Sequence, residues 1–234
     1  MRKVLNFIGT GTAFSKENIN NSAFYKTRDK LILFDCGETI FHEILNKNII
    51  DESLKVIDII ITHFHSDHVG SLGSLVLYCQ KTKKEVNIIF PDKEMPVNLL
   101  TLFGVNKDLY TIKTPIEVKD YYLKEYKQLH GYTDINNQIV KIPSYGYHFI
   151  NDNDNLFYSG DSSIIPDEII KMFKEKDIYY LYQDVSDDGN KTHLQVNELI
   201  NLIEPNYRKR VMCMHLTDSC DIKKIKENGF ETAR

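Results

Sequence analysis

A run of seven residues, Thr62-His63-Phe64-His65-Ser66-Asp67-His68, constrains this chain more than any other feature. The run follows residues 56–61, which are nearly all β-branched and so predict a strand buried on both faces. Three of the eight histidines of the chain lie in it. Packing does not require three imidazoles and a carboxylate so close together, whereas both groups are good zinc ligands. We therefore predict a metal site here.

The spacing within this run predicts which side chains act together. His63 and His65 point to the same side of an extended segment, because side chains alternate with a period of two. Asp67 and His68 fall where the chain turns into the next helix, and there they can face a second ion. The alternative is a polar loop whose histidines are hydrogen-bonded within the protein and bind no metal. We would prefer this alternative if the segment contained a single histidine. His42 is interpreted as a histidine that binds no metal, because it lies within a predicted amphipathic helix and matches no motif.

Further metal-binding residue types follow predicted strands elsewhere in the chain. Asp161 follows a strand predicted at 156–159, and His215 follows one predicted at 211–214. Loops beyond strand ends converge at one edge of the sheet in layered α/β folds, so these residues can meet in space. Strands and helices alternate with no Pro/Gly/Ser-rich linker between them. We therefore predict one α/β domain over residues 1–234.

Other short motifs give the chain a resemblance to a known family. They are Gly9-Thr10-Gly11, Asp35-Cys36-Gly37, Pro143-Ser144-Tyr145-Gly146-Tyr147, Tyr158-Ser159-Gly160-Asp161-Ser162 and Cys213-Met214-His215. With the histidine run, they resemble the metallo-β-lactamase superfamily in type and order. The Ser-Tyr-Gly-Tyr and Tyr-Ser-Gly-Asp segments are most similar to the phosphodiesterase branch that includes tRNase Z. The resemblance implies a four-layer αββα sandwich with a dinuclear metal centre at one edge.

The resemblance also implies the ligands of two divalent ions, with Zn²⁺ expected and Mn²⁺ as the alternative. The first ion would take His63, His65 and a further histidine, and the second would take Asp67, His68 and His215. Asp161 would bridge both ions through its carboxylate. A hydroxide between the ions would be the nucleophile, since the metals lower its pKa.

Two residues are candidates for the further histidine. In the tRNase Z branch this ligand lies a few residues before the Pro-Ser-Tyr-Gly-Tyr-like segment, but residues 137–142 contain no histidine. His130 follows a strand predicted at 125–129, and an insertion over 131–141 would explain its distance from the motif. His148 comes directly after the motif, where the family places an outward strand residue. We favour His130 and keep His148 as the alternative.

The resemblance further implies catalytic residues beside the metal ions. His193 precedes a predicted helix and matches the tRNase Z histidine that protonates the leaving group. Asp184, at the end of the preceding strand, is its candidate partner, because a carboxylate fixes the tautomer of an imidazole and raises its basicity. Asp67 is counted with them as both ligand and catalytic residue. A histidine that only contacts backbone at a helix start is the alternative for His193.

The charge of the chain bears on its substrate. The formal net charge is −4, which does not indicate a strongly basic surface for nucleic acid. No long Gly/Pro-rich arm of the kind that grips tRNA is visible either. The chain is similar in size and motifs to the anti-Pycsar proteins, which hydrolyse cyclic nucleotide monophosphates and blunt host defence. This resemblance implies a small cyclic nucleotide substrate, no extended nucleic acid partner, and a homodimer. The tyrosines at 121, 122 and 126 could stack a base, but packing is the preferred interpretation.

Other functions and the location of the chain follow from weaker signals. The alternatives are a tRNase Z-like ribonuclease, a β-lactam or thioester hydrolase, and a metal-stabilised binding protein without activity. The first residues have two positive charges but only a short apolar stretch broken by glycine, so we expect no signal peptide. The sequence contains no run of 18 apolar residues, so we expect no membrane span. The four cysteines are scattered and form no CxxC pair. We expect reduced thiols and a cytoplasmic location, which would be the host cytoplasm for a phage protein.

Overall fold

The structure, a computed structural model, describes residues 4–136 and 138–233. The strands in this part of the chain are β1 (Asn6–Gly9), β2 (Ser22–Lys26), β3 (Lys30–Phe34), β4 (Val56–Ile60), β5 (Glu85–Ile89), β6 (Thr111–Lys113), β7 (Tyr122–Lys127), β8 (Gly131–Thr133), β9 (Ile139–Lys141), β10 (Tyr145–Asn151), β11 (Asp154–Tyr158), β12 (Tyr180–Asp184), β13 (Val211–Met214) and β14 (Glu231–Thr232). The α-helices are α1 (Ile40–Asn46), α2 (Ser66–Val69), α3 (Leu72–Lys81), α4 (Glu94–Leu102), α5 (Asp167–Glu175), α6 (Val196–Leu202) and α7 (Ile222–Glu227).

The strands form two six-stranded sheets and one small hairpin. The first sheet has the order β1-β2-β3-β4-β5-β6, and its strands from β3 to β6 are parallel. The second has the order β14-β13-β12-β11-β10-β7, and its strands from β11 to β14 are parallel. The hairpin pairs β8 with β9 and lies outside both sheets.

Alternating side chains on the central strands define the layers. On β3, Leu33 packs in a cluster with residues of α1, α3 and α4, whereas Phe34 faces the other sheet. On β11, Phe157 packs in a cluster with residues of α5, α6 and α7, whereas Tyr158 faces the first sheet. Phe34 and Tyr158 stack with their ring centroids 4.7 Å apart across the central core. The predicted αββα sandwich is therefore confirmed.

Some predicted boundaries differ from the observed ones. The strand predicted at 125–129 is β7, which ends at residue 127. Asp184 is the last residue of β12, the strand that precedes His193, where the sequence places it. Residues 131–141, where an insertion is predicted, contain the β8–β9 hairpin. Asn137 in this segment lies outside the described residues, as do residues 1–3 and 234 of the predicted domain. No helix in the described ranges is long and apolar enough to cross a membrane.

Candidate metal centre

The predicted ligands meet at one edge of the sandwich, where strands of both sheets end. His63 and His65 follow β4, and α2 begins directly after them with Asp67 and His68 in its single turn. Asp161 follows β11 and His215 follows β13. Gly160 allows this placement, because its φ of +59° is left-handed and a Cβ there would meet the Thr62 side chain at 2.7 Å. The expectation that strand ends converge is confirmed by this geometry.

Three histidine nitrogens form the first cluster. The Nδ1 atom of His65 lies 3.1 Å from Nε2 of His63 and 3.2 Å from Nε2 of His130. The Oδ2 atom of Asp161 lies 3.8 Å from His63 Nε2 and 3.6 Å from His130 Nε2. Four ligands about 2.0–2.1 Å from one ion in a tetrahedron lie about 3.3–3.4 Å apart. The distances between the histidine nitrogens are close to this spacing, and the three histidines form one group that could hold a metal ion. Asp161 Oδ2 lies somewhat farther from them than a fourth tetrahedral ligand would.

The second cluster contains Asp67, His68, Asp161 and His215, and the carboxylate of Asp161 also faces the first cluster. The Nε2 atom of His68 lies 3.4 Å from Asp67 Oδ2 and 3.3 Å from Asp161 Oδ1. The Nε2 atom of His215 lies 3.3 Å from Asp67 Oδ2 and 3.4 Å from Asp161 Oδ2. His68 Nε2 and Asp161 Oδ1 are buried without a hydrogen-bond partner. Leaving such groups unsatisfied is costly, and a cation between them would satisfy both.

The far side of each ring shows which nitrogen carries the proton. Thr62 donates its hydroxyl hydrogen to Asp35 Oδ2 at 2.8 Å, so its oxygen is left to accept from His63 Nδ1 at 3.0 Å. His68 donates Nδ1–H to the same Asp35 oxygen at 2.8 Å. His130 donates Nδ1–H to the carbonyl of Thr192 at 3.0 Å. The Nε2 lone pairs of all three rings therefore point into the clusters, as metal ligation requires.

Asp35 and Thr62 support the site, although the sequence reasoning assigned them no role. Asp35 is fully buried, has a φ of +62°, and also accepts the Thr62 backbone N–H at 2.8 Å. A strained, buried carboxylate that accepts three hydrogen bonds fixes the direction of the His68 ring. The Asp35-Cys36-Gly37 motif and the threonine directly before His63 were the signals that could have identified them.

His130 and His148 lie in different surroundings. His130 is 3% exposed and lies in the first cluster, between the end of β7 and the hairpin. His148 is on β10, where Nε2 contacts Asn155 Oδ1 at 2.9 Å and the ring packs on Tyr122 with centroids 5.3 Å apart. Only His130 of the two is in a group of residues that could share an ion. This arrangement favours His130, and its role as a ligand stays a prediction.

A third group joins the second cluster to the cavity wall. His193 Nδ1 donates to Asp184 Oδ2 at 2.6 Å, and Asp184 Oδ1 lies 3.4 Å from Nδ1 of His215. The rings of His193 and His215 stack with centroids 5.1 Å apart. Asp184 is fully buried and also accepts the Ser162 N–H at 2.9 Å. One carboxylate therefore orients both a predicted ligand and the predicted proton donor.

The pKa values differ between the two clusters. Burial lowers the pKa of His63, His65 and His130, which favours the neutral rings that bind metals. Burial would also lower the pKa of His68 and His215. Neighbouring carboxylates outweigh it, Asp161 most of all, and the pKa of His215 rises to about 10. For His193, burial is likewise outweighed by the Asp184 carboxylate, and the pKa is raised.

A cavity of about 410 Å³ opens over both clusters. Its volume lies within the range of small-molecule sites. His65, Asp67, His130, Asp161 and His215 contribute to its floor, and its walls come from Thr12–Phe14, from the hairpin and from the segment 186–193. No lysine or arginine is among the described residues that line it.

Comparison with known proteins assigns the chain to a family. The family model described as anti-Pycsar protein Apyc1 matches residues 3–233. The chain belongs to the anti-Pycsar Apyc1 family. An anti-Pycsar protein Apyc1 from Paenibacillus sp. (strain J14) is 26% identical over 230 residues, covering 93% of this chain and 90% of that protein. The predicted family relationship is therefore confirmed.

Two further comparisons concern the branch and the fold. A ribonuclease Z from Methanocaldococcus jannaschii is 34% identical over 156 residues, covering 61% of this chain and 46% of that protein. The metallo-β-lactamase fold protein YhfI from Bacillus subtilis is 16% identical in its crystal structure. It superposes with a TM-score of 0.73, covering 96% of this chain and 90% of its own, which confirms the predicted fold. Family, fold and clusters together support a metal-dependent hydrolase.

Proposed function

We propose that the chain is a phosphodiesterase that hydrolyses cyclic nucleotide monophosphates with two divalent ions, and so removes a signal of host defence. The observation that carries this proposal is the hydrogen-bonded His193–Asp184 pair beside two clusters that Asp161 faces with its carboxylate. Phosphodiester hydrolysis needs both negative-charge stabilisation and a proton for the leaving oxygen. The pair and the clusters offer these two functions within one cavity.

The donor set suits Zn²⁺ and also admits Mn²⁺, since it mixes imidazole nitrogens with carboxylate oxygens. His63, His65, His130 and Asp161 would hold the first ion, and Asp67, His68, His215 and Asp161 would hold the second. Ions held there would neutralise charge on the phosphate and make water acidic enough to act as a nucleophile near neutral pH. Asp67 also lines the cavity, where its carboxylate can orient that water by accepting a hydrogen bond.

His193 is proposed to donate a proton to the leaving oxygen. Its Nδ1–H is held by Asp184, which leaves the Nε2–H for a ligand in the cavity that His193 lines. The raised pKa of His193 favours the protonated ring. A cyclic nucleotide makes this proton necessary, because its leaving group is a sugar alkoxide that departs poorly without one.

The cavity favours a small phosphodiester over a polynucleotide. Tight binding of extended RNA needs many lysine and arginine contacts to phosphates. Among the described residues that line the cavity, none has a cationic side chain of this kind. The ribonuclease alternative rests on the partial likeness to a ribonuclease Z and requires RNA contacts outside this cavity.

We also propose that the active form is a homodimer in the cytoplasm. Analytical ultracentrifugation tests whether the protein is a dimer.

A substrate panel tests the proposed function. Protein loaded with Zn²⁺ or Mn²⁺ is incubated with cyclic mononucleotides, cyclic dinucleotides, precursor tRNA, a β-lactam and a thioester. We expect ring opening of cyclic mononucleotides, and none by the Asp161→Ala variant. Cleavage of precursor tRNA alone would instead establish the ribonuclease alternative. Absence of hydrolysis from a protein that retains its metals would favour the binding-protein alternative.

A further inference from the structure

Two exposed aromatic side chains stand at the mouth of the cavity. Phe14 is 93% exposed and Tyr132 is 51% exposed, yet both line the cavity that contains His65 and Asp67. A side chain this exposed contributes little hydrophobic stabilisation to the folded protein. Apolar side chains exposed singly on a surface are common, but two that line the same cavity are candidates to contact its ligand.

The loop that carries Phe14 is anchored at both its base and its flank. Gly11 N donates to Ile19 O at 2.8 Å and closes the loop, and a Cβ on Gly11 would meet Asn18 Cβ at 2.7 Å. Asp218, on the segment that follows His215, accepts hydrogen bonds from the other end of the loop. The donors are Ser15 Oγ at 2.7 Å, Lys16 N at 2.6 Å, Asn18 Nδ2 at 2.9 Å and Glu17 N at 3.4 Å.

Tyr132 is held by the hairpin that follows His130. It pairs with Val140 in the β8–β9 register, and the carbonyl of His130 accepts the N–H of Ile142 at 3.2 Å. The backbone of Tyr132 is therefore held two residues from a predicted ligand. The segments bearing Phe14 and Tyr132 are each attached to a segment bearing a predicted ligand, so both rings are positioned relative to the metal centre.

The tyrosines on and beside β7 do not offer such a surface. Tyr121 is buried and its hydroxyl donates to Asp58 at 3.1 Å, and Tyr126 packs on Phe157 with centroids 5.9 Å apart. Tyr122 packs on His148 instead. None of the three lines the cavity, in agreement with the packing interpretation of these residues.

We propose that Phe14 and Tyr132 bind the nucleobase of the substrate by stacking, and that Asp218 is a positioning residue for Phe14. This inference rests on the proposed hydrolysis of cyclic nucleotides. The phosphate would lie at the floor while the base lies at the aromatic mouth. Stacking uses the π-face that every base has, so the site should accept purines and pyrimidines with little discrimination.

The test compares a cyclic nucleotide with the matching methyl riboside 3′,5′-cyclic phosphate, which has no base. Phe14→Ala and Tyr132→Ala should each raise KM for the cyclic nucleotide about 5- to 150-fold, the range for loss of one stacking contact. Their kcat values, and their activity on the base-free substrate, should stay unchanged. Phe14→Tyr and Tyr132→Phe should retain wild-type KM, because a ring remains. Asp218→Ala should show the same pattern as Phe14→Ala at smaller size.

The controls remove exposed side chains elsewhere. Leu102 is 85% exposed and Tyr122 is 47% exposed, so Leu102→Ala and Tyr122→Ala match the two test variants. Unchanged KM in Phe14→Ala and Tyr132→Ala would overturn the stacking proposal alone. Equal losses on both substrates, or a changed sedimentation coefficient, would also overturn it and assign the rings to structure or to a subunit contact. If the wild-type protein hydrolyses neither substrate, the proposed function itself is wrong and the stacking proposal fails with it.

Discussion

Replacing His193 separates proton donation from metal binding. The ring contacts Asp184 through Nδ1, and neither predicted set of metal ligands includes it. His193 does lie in a further group with Asp161, Asp184 and His215 that could hold an ion, so metal content is measured for each variant. We therefore expect His193→Ala to retain its metal ions and to lose about 10²–10⁴-fold in kcat on a cyclic nucleotide, the usual contribution of a general acid. On a p-nitrophenyl phosphodiester the loss should be much smaller, because that leaving oxygen needs no proton.

Asp184→Asn gives a graded form of the same effect, and its size follows from the structure. The bond of 2.6 Å between His193 Nδ1 and a buried carboxylate is charge-assisted, and such bonds contribute about 1.5–3 kcal/mol. If all of it is lost in the transition state, kcat falls about 10- to 150-fold. Because Asp184 also lies 3.4 Å from Nδ1 of His215, metal content is measured in parallel.

The pH profile gives an independent measurement. Burial lowers the pKa of His193, but the Asp184 carboxylate has the larger effect and the net pKa is raised. The ring is protonated below this raised pKa. As a proton donor it makes kcat fall as pH rises through that value. In Asp184→Asn the raising interaction is weakened, and the fall should come at lower pH. Equal losses of His193→Ala on both substrates, with an unshifted profile in Asp184→Asn, would refute proton donation.

Three further predictions concern the metal centre. The wild-type protein should contain two metal ions per chain by elemental analysis, and Asp161→Ala should lose metal and activity together, since its carboxylate faces both clusters. His130→Ala should lose metal. His148→Ala should retain it, because this change removes only contacts to Asn155 and Tyr122. The opposite result would show that the predicted insertion over 131–141 is wrong. Chelation should abolish binding of a non-hydrolysable cyclic phosphorothioate measured by calorimetry, and persistent binding would show that the ions are not needed to hold the phosphate.

The sequence predicted the elements whose patterns are local and strong. The β-branched segment before His63 is visible in the sequence because the strand buries its side chains on both faces. Strands β8 and β9 are three residues long, with six residues that are mostly exposed, so no hydrophobic pattern indicates them. Helix α4 contains Pro96 in its first turn, where proline is tolerated, but the sequence reading placed no helix there.

The site was predictable to the extent that its residues are chemically unusual. Histidines grouped after strand ends are rare enough for the sequence to indicate them, and the structure brings them together. Asp35 and Thr62 were missed because an aspartate and a threonine at a strand end are ordinary, and their role arises only from contacts to His63 and His68. Phe14 and Tyr132 were missed for a related reason. An exposed aromatic residue in a loop carries no pattern until the fold places two of them at one cavity.

The charges at the cavity floor predict that the site binds an anion only with two divalent ions in place. The seven predicted ligands comprise five imidazoles, which ligate as neutral groups, and the carboxylates of Asp67 and Asp161. Two divalent ions would turn a floor of charge −2 into one of charge +2, which suits a phosphodiester and a nucleophilic hydroxide. Without the ions, burial lowers the pKa of His68 and His215, but neighbouring carboxylates, mainly Asp161, outweigh burial and raise it. Protons on these two rings then compensate part of the acidic charge. Asp188 on the wall adds further negative charge, and no lysine or arginine among the described lining residues offsets it. Binding of the phosphate and its hydrolysis should therefore depend on the same ions.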